Sequence, residues 1–507
     1  MISLLTRLER LAPSFPVHLL ILASMVIVAA SAASLVVRAT LPYPINVWEA
    51  GLLTDAARMA QGLRVYDPAV EHATTMYSPL TTIVLSEIYK IFGFGLQAGR
   101  WLNVVAASIS LGMILTWFAR PRLADISIAL AFLLAGHTRA ANYFAESRPD
   151  MTAIVLILTS LLLVYRGLEL ARGAAQVAWV AAGSLVLAGA VFTKQTALAY
   201  AAIAPVVVLL SDRSPRRFLL SLLPFVPAIV AMAITWKYFP GVWRYMIEVP
   251  SQYGVPFANL RQQIVELGGA APLFLLALIQ WLFTDAAADI KRPRIRWLMV
   301  FIACACGSGC IAAAKEGAYF NSLIPAFLGM GAFCAWRLPV LLGLLARTDI
   351  AWAARSAASV VVTFLLVIFV TPNFDLFRIQ GQFVGLGDSS RPLVIAEARG
   401  LPGKVISPDD PTLALMAKGY AGRSAVFQAD AVRWVPARIE PLIEEVASAD
   451  WVILMTPVHV VPGKPTNPVL IGLDWWPRDE VLRRAGFKRV AFKTTSDPLY
   501  QLWQKER

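Results

Sequence analysis

Two carboxylates and an arginine, Glu49, Asp55 and Arg58, follow the first apolar run of the chain. Similar polar groups stand at the ends of later apolar runs: Glu146, Arg148 and Asp150, then Lys194 and Gln195, then Lys315. Ionisable side chains near a bilayer are costly, so their first reading is a functional site. A carboxylate suits removal of a proton from a hydroxyl. Lysine and arginine suit a phosphate leaving group, through charge and charge-assisted hydrogen bonds. The set pairs a base with a cationic phosphate cradle.

Each residue also has a plainer reading. Asp55 and Arg58 are three apart, the spacing of a local helix salt bridge. Glu49 and Asp150 suit the first turn of a helix, and Pro149 suits its start. Lys194 can snorkel to the interface. Tyr77 and the tryptophans suit an aromatic belt, with Trp48, beside Glu49, the best placed to stack on a sugar ring. The four histidines do not cluster, so no dedicated His metal site is expected. A divalent ion held between carboxylates and a phosphate is left open. The four cysteines, Cys304, Cys306, Cys310 and Cys334, all lie in apolar segments and read as packing residues.

Composition decides what must position these groups. Hydrophobic residues make up 58% of the 507 and charged residues only 15%, against about a half and a quarter in soluble domains. The expected fold is an all-α polytopic membrane bundle with a small C-terminal α/β soluble domain. Apolar runs fall at 17–37, 99–118, 123–137, 151–168, 175–192, 197–211, 217–236, 271–288, 296–314, 321–336 and 353–371, which predicts about eleven spans. Leu80–Phe92 is apolar but short, and Glu87 and Lys90 interrupt it, so it reads as a helix lying on the interface.

The net charge of +13 is scattered over short loops. It points to anionic lipid headgroups and positive-inside anchoring rather than to nucleic acid. Loops bearing Arg7 and Arg10, Arg120 and Arg122, or Lys291 and Arg292 are then cytoplasmic, as is the N-terminus. All the polar groups named above fall on the opposite side, in a long first outside loop (39–98) and its successors. The expected location is the inner (plasma) membrane of a bacterium.

The division expected is a membrane domain over 1–371 and an extracytoplasmic domain over 372–507. In the latter, Leu393–Ile395, Val405–Ser407 and Trp451–Leu454 read as strands. Asp410–Lys418, Arg438–Ala447 and Arg478–Ala485 read as helices. No glycine-rich phosphate loop or nucleophile elbow occurs there. Outside the cytoplasm there is no nucleotide-sugar pool, so an enzyme there needs an activated donor delivered on a lipid.

The motifs resemble those of the GT-C class, the lipid-linked-sugar-dependent glycosyltransferases that include protein mannosyltransferases and aminoarabinose transferases. They run in order: Trp48-Glu49-Ala50-Gly51 with Asp55, Arg58, Gly62 and Tyr66; Tyr77-Ser78-Pro79-Leu80; Gly99-Arg100; Glu146-Ser147-Arg148-Pro149-Asp150; Thr193-Lys194-Gln195-Thr196; and Lys315-Glu316-Gly317 with Asn321. The resemblance covers about residues 15–330. It implies a polyprenyl-phosphate-sugar donor, transfer with inversion, and a lipid-linked glycan, lipid or protein as acceptor. It also implies that an acidic residue of the first outside loop is catalytic. Glu49 best matches that position; some members carry an Asp-Glu pair where this chain has Trp48 and Glu49, so a share for Asp55 stays open. Arg58, Tyr77, Glu146, Arg148, Asp150, Lys194, Gln195 and Lys315 are the expected substrate-binding residues. Two other classes compete: a transporter or lipid flippase, and a non-enzymatic envelope assembly subunit.

Overall fold

The computed structural model describes residues 15–45, 47–67, 72–121, 125–139, 143–211, 214–316, 318, 320–345, 390–434, 438–455, 478–494 and 500–506. Helices dominate, and a helix occupies each expected span range from 17–37 to 321–336. Range 353–371, and the domain boundary expected at 371/372, lie outside the described residues. Among the described residues six helices are long and apolar enough to cross a membrane, from Leu20–Thr40 to Pro293–Ala313. A seventh crossing requires Phe257–Gly269 and Pro272–Thr284, bent by 76°, to count as one. Ranges 123–137 and 197–211 hold shorter pieces, such as Ile126–Arg139, which is buried within the bundle, while range 321–336 runs into the 22-residue helix Ile324–Leu345.

Small residues let these helices approach closely. A Cβ on Gly183 would stand 2.9 Å from the Ser160 carbonyl oxygen, and Ser160 Oγ donates to the Gly183 carbonyl at 2.7 Å. Helices Asp150–Tyr165 and Gly173–Thr193 therefore meet backbone to backbone, as small-residue seams allow in membrane bundles.

The first loop holds the helix Val47–Ala60, which follows Pro42 and Pro44 and ends where Gly62 turns left-handed at φ 73°. A helix forms over the bounds expected, Leu80–Phe92. It buries Leu85 and Tyr89 and leaves Ile91 and Phe92 exposed.

The C-terminal part carries a four-stranded sheet: β1 (Val405–Ile406), β2 (Trp451–Met455), β3 (Phe487–Val490) and β4 (Tyr500–Lys505), in the order β1-β2-β4-β3. β1 and β2 are parallel, and β4 is antiparallel to both β2 and β3. Helices form over Pro411–Lys418, Glu440–Ala447 and Arg478–Arg484, as expected. The strand expected at Leu393–Ile395 is instead part of a helix, Ser390–Gly400. Its buried residues Val394, Ile395 and Ala398 keep a helical spacing while Leu393 is exposed. A three-residue apolar run is too short to tell the two periods apart.

Val47 of the first loop packs in the same core as Val394, Val405, Leu413, Val426 and Ile453. A Cβ on Gly51 would lie 2.6 Å from the Phe427 ring, so only glycine admits that ring against the first-loop helix. The C-terminal part thus sits directly on the element that carries Glu49 and Asp55.

Candidate active site

Glu49 is fully buried, as is its partner Arg100 at the head of the helix Gln97–Ile114. Arg100 grips both oxygens: Nε to Oε1 at 2.9 Å and Nη2 to Oε2 at 2.8 Å. The carboxylate also accepts the backbone N–H of Ile45 at 2.5 Å and that of Ser147 at 2.9 Å. The remaining Arg100 donors go to the carbonyls of Arg38 (3.3 Å), Leu41 (2.7 Å) and Tyr43 (2.5 Å). Burial alone would raise the Glu49 pKa, but the Arg100 charge and these hydrogen bonds outweigh it and hold the carboxyl below its usual range.

Asp55 is likewise enclosed. His72 Nε2 lies 2.6 Å from Oδ1, and Thr74 donates to Oδ2. These bonds pin the extended segment 72–79, which delivers Tyr77. Arg58 points elsewhere: its Nη1 donates to the Ala421 carbonyl of the C-terminal part at 2.7 Å.

The second loop supplies a buried ion pair. Arg148 Nε donates to Glu146 Oε1 at 2.8 Å, with both side chains buried. Burial raises the Glu146 pKa to about 7; Arg148 opposes the shift, while Glu49 and Asp150 add to it. A carboxyl poised there is half ionised at neutral pH, the range that suits a general base. The tripeptide 146–148 is held from behind: Asn103 Nδ2 donates to the carbonyls of Glu146 and Arg148, and Glu49 holds the intervening N–H.

The Arg148 guanidinium lies over two rings, 4.8 Å from the centroid of Tyr143 and 5.8 Å from that of Trp48. Its Nη1 is 3.5 Å from the Tyr77 hydroxyl. Beyond Tyr77 stands a second cation: Lys194 Nζ is 5.9 Å from the same ring and 2.5 Å from Asp150 Oδ1. Asn321 Nδ2 donates to both Asp150 oxygens, at 3.0 and 3.2 Å. Asp150, Lys194, Thr196 and Asn321 form the polar end of a cavity of about 30 Å³, which continues between helices past Ile154, Ile157, Ala197 and Ala312.

Two further residues close the group. Gln195 Nε2 donates to the Met76 carbonyl at 3.0 Å, joining the third loop to the first. Lys315 Nζ donates to the Pro250 carbonyl at 3.0 Å and so braces the fourth loop. Tyr77, Glu146, Arg148, Asp150, Lys194 and Gln195 therefore converge, whereas Arg58 and Lys315 bind backbone at the edges. Among the described residues no three His, Cys, Asp or Glu side chains gather to hold a metal ion.

Arg100 was visible in the sequence only as part of the Gly99-Arg100 motif, with no role attached, and Asn103 was not singled out, although an arginine opening an apolar span is itself a signal. Sequence reasoning also missed His72, which nothing in the spacing ties to Asp55. Asn321 was visible only as part of a motif.

No protein-family model matches the sequence, and no curated protein sequence does. Solved structures do match. ArnT from Cupriavidus metallidurans bound to undecaprenyl phosphate superposes with a TM-score of 0.57 and 13% identity, covering 94% of this chain and 97% of that one. The same protein in the apo state gives a TM-score of 0.54 over the same shares. The archaeal oligosaccharyltransferase AglB from Archaeoglobus fulgidus matches at 0.46, over 86% of this chain and 69% of that one. The ArnT likeness shows that the chain shares that fold along most of its length, and six helices among the described residues are long and apolar enough to cross a membrane.

Proposed function

We propose that the protein is an integral-membrane glycosyltransferase that moves a sugar from a polyprenyl phosphate to a hydroxyl acceptor outside the cytoplasm. The observation that carries this reading is the placing of two cations, Arg148 and Lys194, on either side of Tyr77, with Glu146 on the first of them. The shared fold with an ArnT that binds undecaprenyl phosphate supports the lipid-phosphate donor.

In this mechanism the acceptor oxygen attacks the anomeric carbon as its proton passes to Glu146. The bond from that carbon to the phosphate oxygen breaks on the opposite face, giving inversion. The phosphate leaves with the electron pair and gains negative charge. Arg148 and Lys194 stabilise that charge where it develops, which lowers the barrier more than it tightens the ground state.

Glu49 and Asp55, the carboxylates of the first loop, serve in this reading as positioning groups. A base needs an oxygen that reaches substrate. Glu49 has both oxygens on Arg100 and backbone N–H groups, and Asp55 has its oxygens on His72 and Thr74. The acceptor class is a lipid-linked glycan, a lipid or a protein, and the membrane is the bacterial inner membrane with the C-terminal part outside.

The test is transfer of radiolabel from polyprenyl-phosphate sugars by membranes bearing the protein. Loss of transfer in Glu146→Gln and in Lys194→Met, with folded protein in both, is the expected result. Full activity in Glu146→Gln removes the assigned base.

A further inference from the structure

The helix Ala425–Trp434 belongs to the C-terminal part, yet it reaches the rings around Arg148. The Trp48 indole Nε1–H donates to Asp430 Oδ2 at 3.4 Å, and the other side of the contact is the guanidinium of Arg148, 5.8 Å from the Trp48 ring. The backbone on both sides is fixed. Phe427 fills the space that a side chain at position 51 would need. Arg391, bound to Asp410, reaches the Pro42 carbonyl at 3.3 Å. Arg58 and Gln61 hold the carbonyls of Ala421 and Gly419.

We propose that Asp430 is a positioning residue for the phosphate of the lipid donor, acting through Trp48 on Arg148. This rests on the glycosyltransferase reading above. Trp48 has one hydrogen-bonding atom, its indole N–H, and Asp430 accepts from it. That bond sets the plane of the ring. The ring and Tyr143 both lie against the guanidinium and limit its movement, while its Nε meets Glu146 and its Nη1 meets Tyr77. Among the described residues no protein group accepts from Arg148 Nη2, which leaves that edge for an anion. A guanidinium held in place loses less freedom on binding phosphate than a mobile one. The C-terminal part is then a working portion of the donor site rather than a cover over it.

The experiment measures binding of undecaprenyl phosphate to the purified full chain in nanodiscs. It compares wild type, Asp430→Ala, Asp430→Asn, Trp48→Ala, the double variant Asp430→Ala/Trp48→Ala, and Arg148→Ala. Asp430→Ala and Trp48→Ala should each weaken binding about five- to tenfold. The double variant should be no weaker than the worse single, because both losses pass through one contact. Asp430→Asn, which retains an acceptor oxygen, should bind within about twofold of wild type. Additive losses in the double variant overturn the proposal. So does wild-type affinity in Asp430→Ala when Arg148→Ala fails to bind. A wild-type protein that binds no undecaprenyl phosphate overturns the functional reading itself, and this proposal with it.

Discussion

Glu49 Oε1 accepts the backbone N–H of Ser147 at 2.9 Å, so a carboxylate of the first loop fixes the residue between Glu146 and Arg148 of the second. The same oxygen is gripped by Arg100 from the helix Gln97–Ile114. Three separate stretches of chain therefore define where the Glu146 carboxyl and the Arg148 guanidinium stand. In the proposed mechanism Glu49 is the anchor of the site and Glu146 its reactive group.

The anchor has a stability consequence. Removing one partner of a buried ion pair leaves the other charge unpaired, at a cost of about 3–5 kcal/mol. Glu49→Gln should lower the midpoint of thermal unfolding in detergent. The double variant Glu49→Gln/Arg100→Met should recover much of the loss, since it removes both charges. Equal stability of Glu49→Gln and wild type would show that the pair carries no such load.

Glu146 predicts a pH profile. Its carboxyl titrates at about 7, above the usual carboxylate range, and a base must be ionised. Activity should therefore rise with pH through about 7, and Glu146→Gln should lack that limb. Stability runs the other way. The folded state holds the proton more tightly than the unfolded chain, so this group favours folding below the unfolded carboxyl's pKa. That contribution is lost as pH rises through about 7. Unfolding midpoints of wild type and Glu146→Gln, compared on both sides of that window, measure it.

Lys194 is assigned to the leaving phosphate. Lys194→Met should lower kcat/KM for the donor by about 10²-fold or more, the scale of one lost oxyanion contact. The loss should fall mainly on kcat, because the charge it meets develops as the bond breaks. A change confined to KM would place Lys194 in ground-state binding alone.

Gly51 tests the seat of the C-terminal part. A Cβ there would meet Phe427 Cε2 at 2.6 Å. Gly51→Val should destabilise the chain by about 1–3 kcal/mol through overpacking. Adding Phe427→Leu should restore part of it. Limited proteolysis of the C-terminal part, followed by gel, reads the loosening directly.

Most of the bundle was legible in the sequence, because spanning helices announce themselves through long apolar runs, and a helix lies in each described range. Length was less legible. Runs such as 123–137 form helices packed inside the bundle, and composition alone does not separate these from crossings. The polar residues at the ends of the runs were visible, and six of them converge. Their roles depend on contacts far apart in sequence. Glu49 is 51 residues from Arg100 and 98 from Ser147, and no local spacing announces either partner. The helix at Ser390–Gly400 was hidden for a different reason: three apolar residues do not resolve a period.

The central claim is that Glu146 takes the acceptor proton while Glu49 holds it in place. The most direct measurement is transfer of label from a polyprenyl-phosphate sugar, in membranes, by wild type and by Glu146→Gln, with folding of both verified by thermal unfolding. The wild type should transfer label, and Glu146→Gln should lose at least about 10²-fold. Transfer by Glu146→Gln at the wild-type rate would contradict the central claim.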